Sequence, residues 1–352
     1  MKFLLLTSLH LNDKFGGREP DNPRWQLSPD QPQYSIAKAI EALGHEVAVH
    51  VSQPESSAPL PRNSRLVGRI WRRCKRSVRY LMRHYELVEM IDEFRPNVVL
   101  CWANYAGCQQ QPIKNLKKKV GFKFLLIDGL SPAWRKHDPC LPFLNFADAV
   151  ITNCDQNKDE YRKYGAKEVQ TLPMSAVSGD VELDDHCAYE FDVGFVGTLG
   201  GPLYERRLQV LSALSDFNLG IWTTSSPTLL ETIGLADYYR GSVTRNDCVK
   251  VYRKCRILIN IHGLHMQDGG NLSTFEIALS GCLQLCDACH PEWFNDGVDI
   301  VLYDSIDDLR SKIVYYLQHR DEAKRIGASG YLKVKERHTF ESRINELIEI
   351  VS

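Results

Sequence analysis

Residues 192–207, Asp-Val-Gly-Phe-Val-Gly-Thr-Leu-Gly-Gly-Pro-Leu-Tyr-Glu-Arg-Arg, decide the fold. DVGFVG reads as a short buried strand, and Arg206–Leu214 reads as a helix. The glycines between them let backbone approach a ligand closely, while Arg206 and Arg207 offer forked donors suited to phosphate oxygens. The spacing matches neither a dinucleotide fingerprint nor a P-loop. It establishes a strand, a glycine-rich loop and a helix, so the next question is whether that unit repeats.

It repeats in both directions. Downstream, Leu219–Thr223, Ile257–Ile261, Leu283–Cys286 and Ile300–Leu302 read as strands. Cys248–Cys255 and Ser273–Gly281 read as helices between them. Ser305 and Asp308 resemble a capping box, and a final amphipathic helix follows Thr339. Upstream, Lys2–Leu6, Glu46–Val51, Asn97–Cys101, Lys123–Ile127 and Ala149–Thr152 supply a second set of strands, with a helix over Tyr34–Leu43. Strands alternating with helices imply parallel sheets covered on both faces. The pattern weakens over Met174–Tyr189. The organisation expected is an N-terminal domain over 1–175, a C-terminal domain over 176–335 and a last helix over 336–352.

In open α/β sheets ligands bind at the carboxyl ends of the strands. A second loop fits that position, Asp268-Gly-Gly-Asn-Leu-Ser-Thr-Phe-Glu276, lying between a strand and a helix. The free amides of a helix start favour an anion, and Glu276, about one turn inside, can accept both ribose hydroxyls of a nucleotide. The plain alternative makes Asn271, Ser273 and Thr274 ordinary caps and Glu276 a solvated residue. Together the two loops suggest a diphosphate clamp.

The 43 Lys+Arg and 44 Asp+Glu give a net charge of −1, but the charge is unevenly placed. Positions 1–177 hold 26 basic and 18 acidic residues, net +8, and the rest holds 17 and 26, net −9. Nine Lys/Arg fall between Arg62 and Arg83 without one acidic residue, and the interleaved apolar residues have helical spacing. Arg69, Arg72, Arg73, Arg76, Arg79 and Arg83 therefore mark a surface for an anionic partner. A membrane surface with a lipid-linked glycan, nucleic acid and an acidic glycan all fit; a solvated helix face is the plain reading. Lys114, Lys117, Lys118, Lys119 and Lys123 form a second cluster.

No apolar run approaches the ~18 residues of a membrane span, and the N-terminal run is too short for a secretion signal. Eleven scattered cysteines suit a reducing compartment. A cytoplasmic protein, with peripheral membrane association as an alternative, is the expectation. Cys282, Cys286, Cys289 and His290 have metal-ligand chemistry, but Cys282 and Cys286 straddle an apolar strand. They read as buried structural cysteines, and no metal site is expected. Cys286 and Cys289 as a redox pair, and His262 or His265 as ligand contacts, are weaker readings.

The stretch 192–352 resembles the nucleotide-binding half of GT-B glycosyltransferases. The residues that carry this are DVGFVGTLGGPLYERR, YRGSVTRNDCVKVYRKC, NLSTFEIALSG, DIVLYDSIDDLRSKIVYYL and ERHTFESRI. It is most similar to the CgeB-like spore-maturation group and to phage DNA β-glucosyltransferases. SIAKAIEALGHEVAVH and FKFLLIDGLSPAW in the first half match more loosely. The resemblance implies an α/β fold of two Rossmann-like domains facing across a cleft, and a final helix that returns to the first domain. It implies a glycosyltransferase using a nucleotide sugar, UDP-linked by family habit, with no further cofactor.

Residue by residue, the resemblance implies Glu276 at the ribose, Arg206 or Arg207 at the diphosphate and the Ser242-Val243 backbone at the base. Gly16, Gly17, Gly197, Thr198, Asp268, Gly270 and Asn271 complete the implied donor set. Asp128 falls where the phage enzymes keep a catalytic carboxylate; as an ordinary strand-end turn residue it would have no such role. The chain also departs from the pattern. Asp268 stands where retaining relatives carry the first Glu of a Glu-x7-Glu pair, and no His lies near Trp102–Tyr105. Gln31-Pro32-Gln33 stands where the phage enzymes carry an acidic residue. The missing His and the presence of Asp128 favour inversion, with Asp128 as base. An epimerase of the same fold and a non-catalytic binding protein are the alternatives.

Overall fold

The computed structural model describes residues 1–8, 25, 27, 31–52, 85–103, 105, 110–129, 141–176, 183 and 189–352. The 62–83 basic stretch, with Arg69, Arg72, Arg73, Arg76, Arg79 and Arg83, lies outside them, as do Gly16 and Gly17.

Two parallel sheets are present. The first has the order β2-β1-β3-β4-β5-β6, built from β1 (Lys2–Ser8), β2 (Glu46–Ser52), β3 (Val98–Trp102), β4 (Lys123–Ile127), β5 (Ala149–Thr152) and β6 (Val169–Thr171). Side chains alternate across it because successive Cβ atoms point to opposite faces. Leu4 and Leu6 pack on one side with Leu87 and Ile91 of α2 (helical over 85–94) and Ile113 of α3 (Gln110–Val120). Phe3 and Leu5 pack on the other with Ala37 and Ile40 of α1 (Pro32–Ala42). Both faces are covered, and each fully buried Leu or Phe contributes about 1.5–3 kcal/mol.

The second sheet comprises β7 (Phe191–Val196), β8 (Leu219–Trp222), β9 (Cys255–Asn260), β10 (Leu283–Cys286) and β11 (Val301–Leu302). Its order, β8-β7-β9-β10-β11, repeats that of the first five strands of the first sheet. In each sheet the direction of winding reverses between the first and third strands of the unit, which is where a crevice opens in this topology. Val193, Phe195, Ile257 and Ile259 face Val210 and Leu211 of α5 (Glu205–Ser212) and Leu309 of α9 (Ile306–Gln318). Leu258 faces Ile277 of α8 (Leu272–Leu279) on the other side.

Local signals account for the helix starts. Ser305 Oγ accepts the Asp308 amide at 3.1 Å, and Asn271 Oδ1 accepts that of Thr274 at 2.9 Å. Two shorter elements, α4 (Lys158–Lys163) and α6 (Pro227–Thr232), and α7 (Cys248–Tyr252) complete the connections. The longest helix without a counterpart in the sequence reading is α10, Arg320–Arg337; α3, α4 and α6 have none either. The final helix, α11 (Phe340–Val351), packs against α1, with Ile344 and Leu347 in the same core as Phe3 and Ile40. The chain thus ends on the first sheet. Among the described residues no helix is long and apolar enough to cross a membrane.

Candidate active site

A cavity of about 350 Å³ lies at the carboxyl ends of β7, β8 and β9. Phe195 to Thr198 form one wall, and Trp222 to Thr224 another. Asn271, Leu272, Ser273 and Glu276 bring the amino end of α8 to it, Val243 and Arg245 approach from the segment before α7, and Pro32 reaches it from α1 of the first half. Such a volume suits a nucleotide-sized ligand. The loop after β7 turns through Gly200 and Gly201, both at φ +78°, a conformation that costs a side-chain-bearing residue.

Of the two arginines that the sequence could not separate, Arg207 is on the wall and Arg206 is not. Arg207 Nε donates to the Ile261 carbonyl at 2.8 Å and Nη1 to that of Thr198 at 2.8 Å, with Tyr204 stacked 4.3 Å from its guanidinium. Those bonds fix the side chain while its charge faces the cavity. Burial lowers its pKa from the usual value. Arg206 instead pairs with Asp287 at 2.9 Å.

Asp287 begins a buried chain of bonds. It accepts from His262 Nδ1 at 2.8 Å and from the His262 amide at 3.0 Å, and His262 Nε2 accepts the Asn271 amide at 3.1 Å. Accepting through Nε2 leaves the imidazole proton on Nδ1, towards the carboxylate. Asn271 in turn gives Nδ2 to Asn260 Oδ1 at 2.9 Å. The chain holds the amino end of α8 in place. His262, Cys286 and Asp287 bring ligand-type atoms within 4.8 Å of one another. In this structure the bonds to Arg206 and Asn271 engage the carboxylate and the ring. Asp287 is a site residue that sequence reasoning missed; its one signal was an acidic residue immediately after an apolar strand.

Glu276 is on the wall and buried, and Arg245 Nε donates to its Oε1 at 2.7 Å. Burial raises the carboxyl pKa, and the Arg245 charge offsets part of that rise. Arg245 was also missed, because a single arginine between Thr244 and Asn246 carries no pattern. Gly197, Thr198, Val243 and Asn271 stand on the wall with Glu276, whereas Ser242 and Gly270 do not.

Asp268 points to the first half. Its Oδ1 accepts the Cys154 thiol and its Oδ2 the Gln156 amide at 2.8 Å. Burial, then the neighbouring carboxylate, push that thiol to about 12. Asn153 Nδ2 reaches the Gly270 carbonyl at 3.1 Å, Asn157 Nδ2 reaches that of His265 at 3.3 Å, and His290 Nε2 meets Asp155 Oδ2 at 3.0 Å. Gly269 passes so close that a Cβ there would lie 1.9 Å from the Asn153 carbonyl oxygen. These contacts form a seam between the halves. Asp128 follows β4, is 3% exposed, and is not part of the described cavity wall. Lys117 and Lys119 are paired with Asp148 and Asp92 at 2.8 and 2.7 Å, so the second lysine cluster is partly neutralised.

Residues 34–174 match the family model described as Glycosyltransferase Family 4, and 203–349 match the one described as Glycosyl transferase-like. No curated protein matches the sequence. A glycosyltransferase from Rickettsia africae superposes with a TM-score of 0.62 at 13% identity, covering 99% of this chain and 98% of that one. HepE of Anabaena, solved with UDP-glucose, gives 0.61 at 14% identity with 99% of each chain covered. An alpha-glucosyltransferase solved with UDP and a 13-mer DNA gives 0.66 at 11% identity, covering 100% and 99%. At these identities the superpositions establish the shared fold. With a glycosyltransferase domain matched in each half and two sheets wound alike on either side of a cleft, the chain has the domain pair and the fold of the GT-B glycosyltransferases.

Proposed function

We propose that the protein transfers a sugar from a UDP-linked donor to an acceptor hydroxyl. The observation that carries this reading is the cavity at the reversal point of the second sheet, which gathers Arg207, the amino end of α8 and Glu276. In the reaction the bond from the sugar C1 to the diphosphate oxygen breaks and a bond from C1 to the acceptor oxygen forms. UDP departs with the electron pair, and the acceptor proton passes to a base, for which Asp128 is the candidate. Arg207 and the α8 amides stabilise the departing diphosphate in place of a metal ion. In-line attack with Asp128 as base gives inversion at C1.

The solved relatives with UDP or UDP-glucose support the choice of nucleotide. The basic stretch 62–83 favours an anionic acceptor or an anionic surface that carries it, with nucleic acid and a lipid-linked glycan as the two leading forms. Titration with UDP tests the donor assignment. Glu276→Ala removes a charge-assisted contact worth about 1.5–3 kcal/mol, roughly ten- to hundredfold in Kd. Unchanged UDP affinity in that variant rejects Glu276 as a donor residue. UDP release only when an acceptor is present separates transfer from epimerisation and from simple binding.

A further inference from the structure

Arg245 is only partly provided for by the protein. Its side chain is 8% exposed, and Nε is bound to Glu276. Nη1 and Nη2 are buried without a hydrogen-bond partner among the described residues. The Phe340 ring, 5.7 Å from the guanidinium, supplies no acceptor oxygen. A desolvated cation with two unused N–H edges is costly to hold, and a site that keeps one awaits an acceptor from outside. Arg245 stands on the cavity wall beside Glu276 and Ser273, where such an acceptor can arrive.

We propose that Arg245 is a specificity-determining residue that binds the hydroxyl oxygens of the donor ribose jointly with Glu276. This rests on the reading of the cavity as a nucleotide-sugar site. A carboxylate only accepts hydrogen bonds and a guanidinium only donates them, whereas each ribose hydroxyl does both. Glu276 accepts the two O–H groups while Nη1 and Nη2 of Arg245 donate to their oxygens. A phosphate at the same place would lie against the Glu276 carboxylate and be repelled by it; a neutral diol is not. The pair therefore distinguishes a ribonucleotide from one that lacks these hydroxyls, and losing them leaves Nη1 and Nη2 of Arg245 without acceptors.

The test titrates the full chain with UDP and with 2′,3′-dideoxy-UDP. The native protein is expected to bind the dideoxy compound ten- to hundredfold more weakly. Arg245→Lys keeps a cation beside Glu276 but removes the fork; it should weaken UDP about tenfold and leave dideoxy-UDP unchanged. Unchanged UDP affinity, or equal weakening of both nucleotides, overturns the proposal, as does a native protein that does not distinguish them. Should the lysine variant not fold, the paired Arg245→Met/Glu276→Met variant buries neither a charge nor a strong hydrogen-bonding group there and should bind the two nucleotides alike; preserved discrimination there overturns the proposal. A native protein that binds neither nucleotide rejects the nucleotide-donor reading itself, which is a different result.

Discussion

At the carboxyl ends of β7 to β9 the second half opens into a cavity with Arg207, Arg245 and Glu276 on its wall. At the carboxyl ends of β4 and β5 in the first half, Asp128, Thr152 and Asn153 are only 2–3% exposed, and Asn153 is bonded to the second half. The order of the first five strands is the same in both. Topology thus fixes where loops converge, while the loop side chains decide whether the convergence becomes a ligand site or a contact surface. Apart from Pro32 of α1, the residues that line the cavity belong to the second half.

The strongest way to break this division is Asp128→Asn. If the two halves divide the work, UDP affinity stays at the native value and transfer falls by about 10²–10⁴, the usual range for losing a general base. Rapid-quench transfer assays and UDP titration on one preparation decide it. Native turnover would remove Asp128 from the reaction.

The joint between the halves can be probed by acid. His338 sits where α10 meets α11, with Nε2 3.2 Å from the Trp293 carbonyl and its ring against Phe275 and Phe294. Burial, and after it the Arg343 charge, lower its pKa to about 4. An unfolded histidine takes up its proton near 6.5, so between pH 6.5 and 4 the unfolded chain binds more protons. Stability is complete above that window and falls as pH drops through it, by about 2–3 kcal/mol in all. His338→Gln should flatten the urea midpoint across that pH range; an equally steep variant would assign the slope elsewhere.

A smaller effect is expected at the seam. Asp268→Asn keeps an acceptor for the Gln156 amide but removes the charge beside Cys154, at a cost of about 1 kcal/mol. Cys154 is fully buried and its thiol is poorly ionised. Its alkylation should therefore be slow in the native chain and several times faster in the variant, with UDP affinity unaltered. Equal alkylation rates would show that the carboxylate does not hold the halves together.

How legible all this was depended on whether the cause was local. DVGFVG and ILINI are apolar runs of strand length, and they are β7 and β9. Ser305 and Asn271 cap helices through neighbours three residues away. By contrast, α10 was invisible because Gly327 and Gly330 interrupt its apolar stripe. A Cβ at these positions would lie 2.3 Å from the Gly281 carbonyl oxygen and 2.5 Å from that of Asp299, so the helix packs by backbone contact rather than by large side chains. In the site, the glycine loop and Glu276 were legible as a pattern. The Arg206–Asp287–His262 chain joins residues up to 81 positions apart, and Arg245 meets Glu276 across 31. Neither spacing leaves a periodic trace.

The tight passage at Gly269 bears on how such a protein can be rebuilt or can diverge. A half taken from a relative would bring its own 265–270 loop or its own 153–157 turn, and only a glycine opposite the Asn153 carbonyl would let the pieces meet. Recombination of the two halves is then limited by one position with no room for a methyl group. Exchanges that keep this glycine together with its facing turn should yield working chimeras, and those that split them should yield two folded halves that do not close.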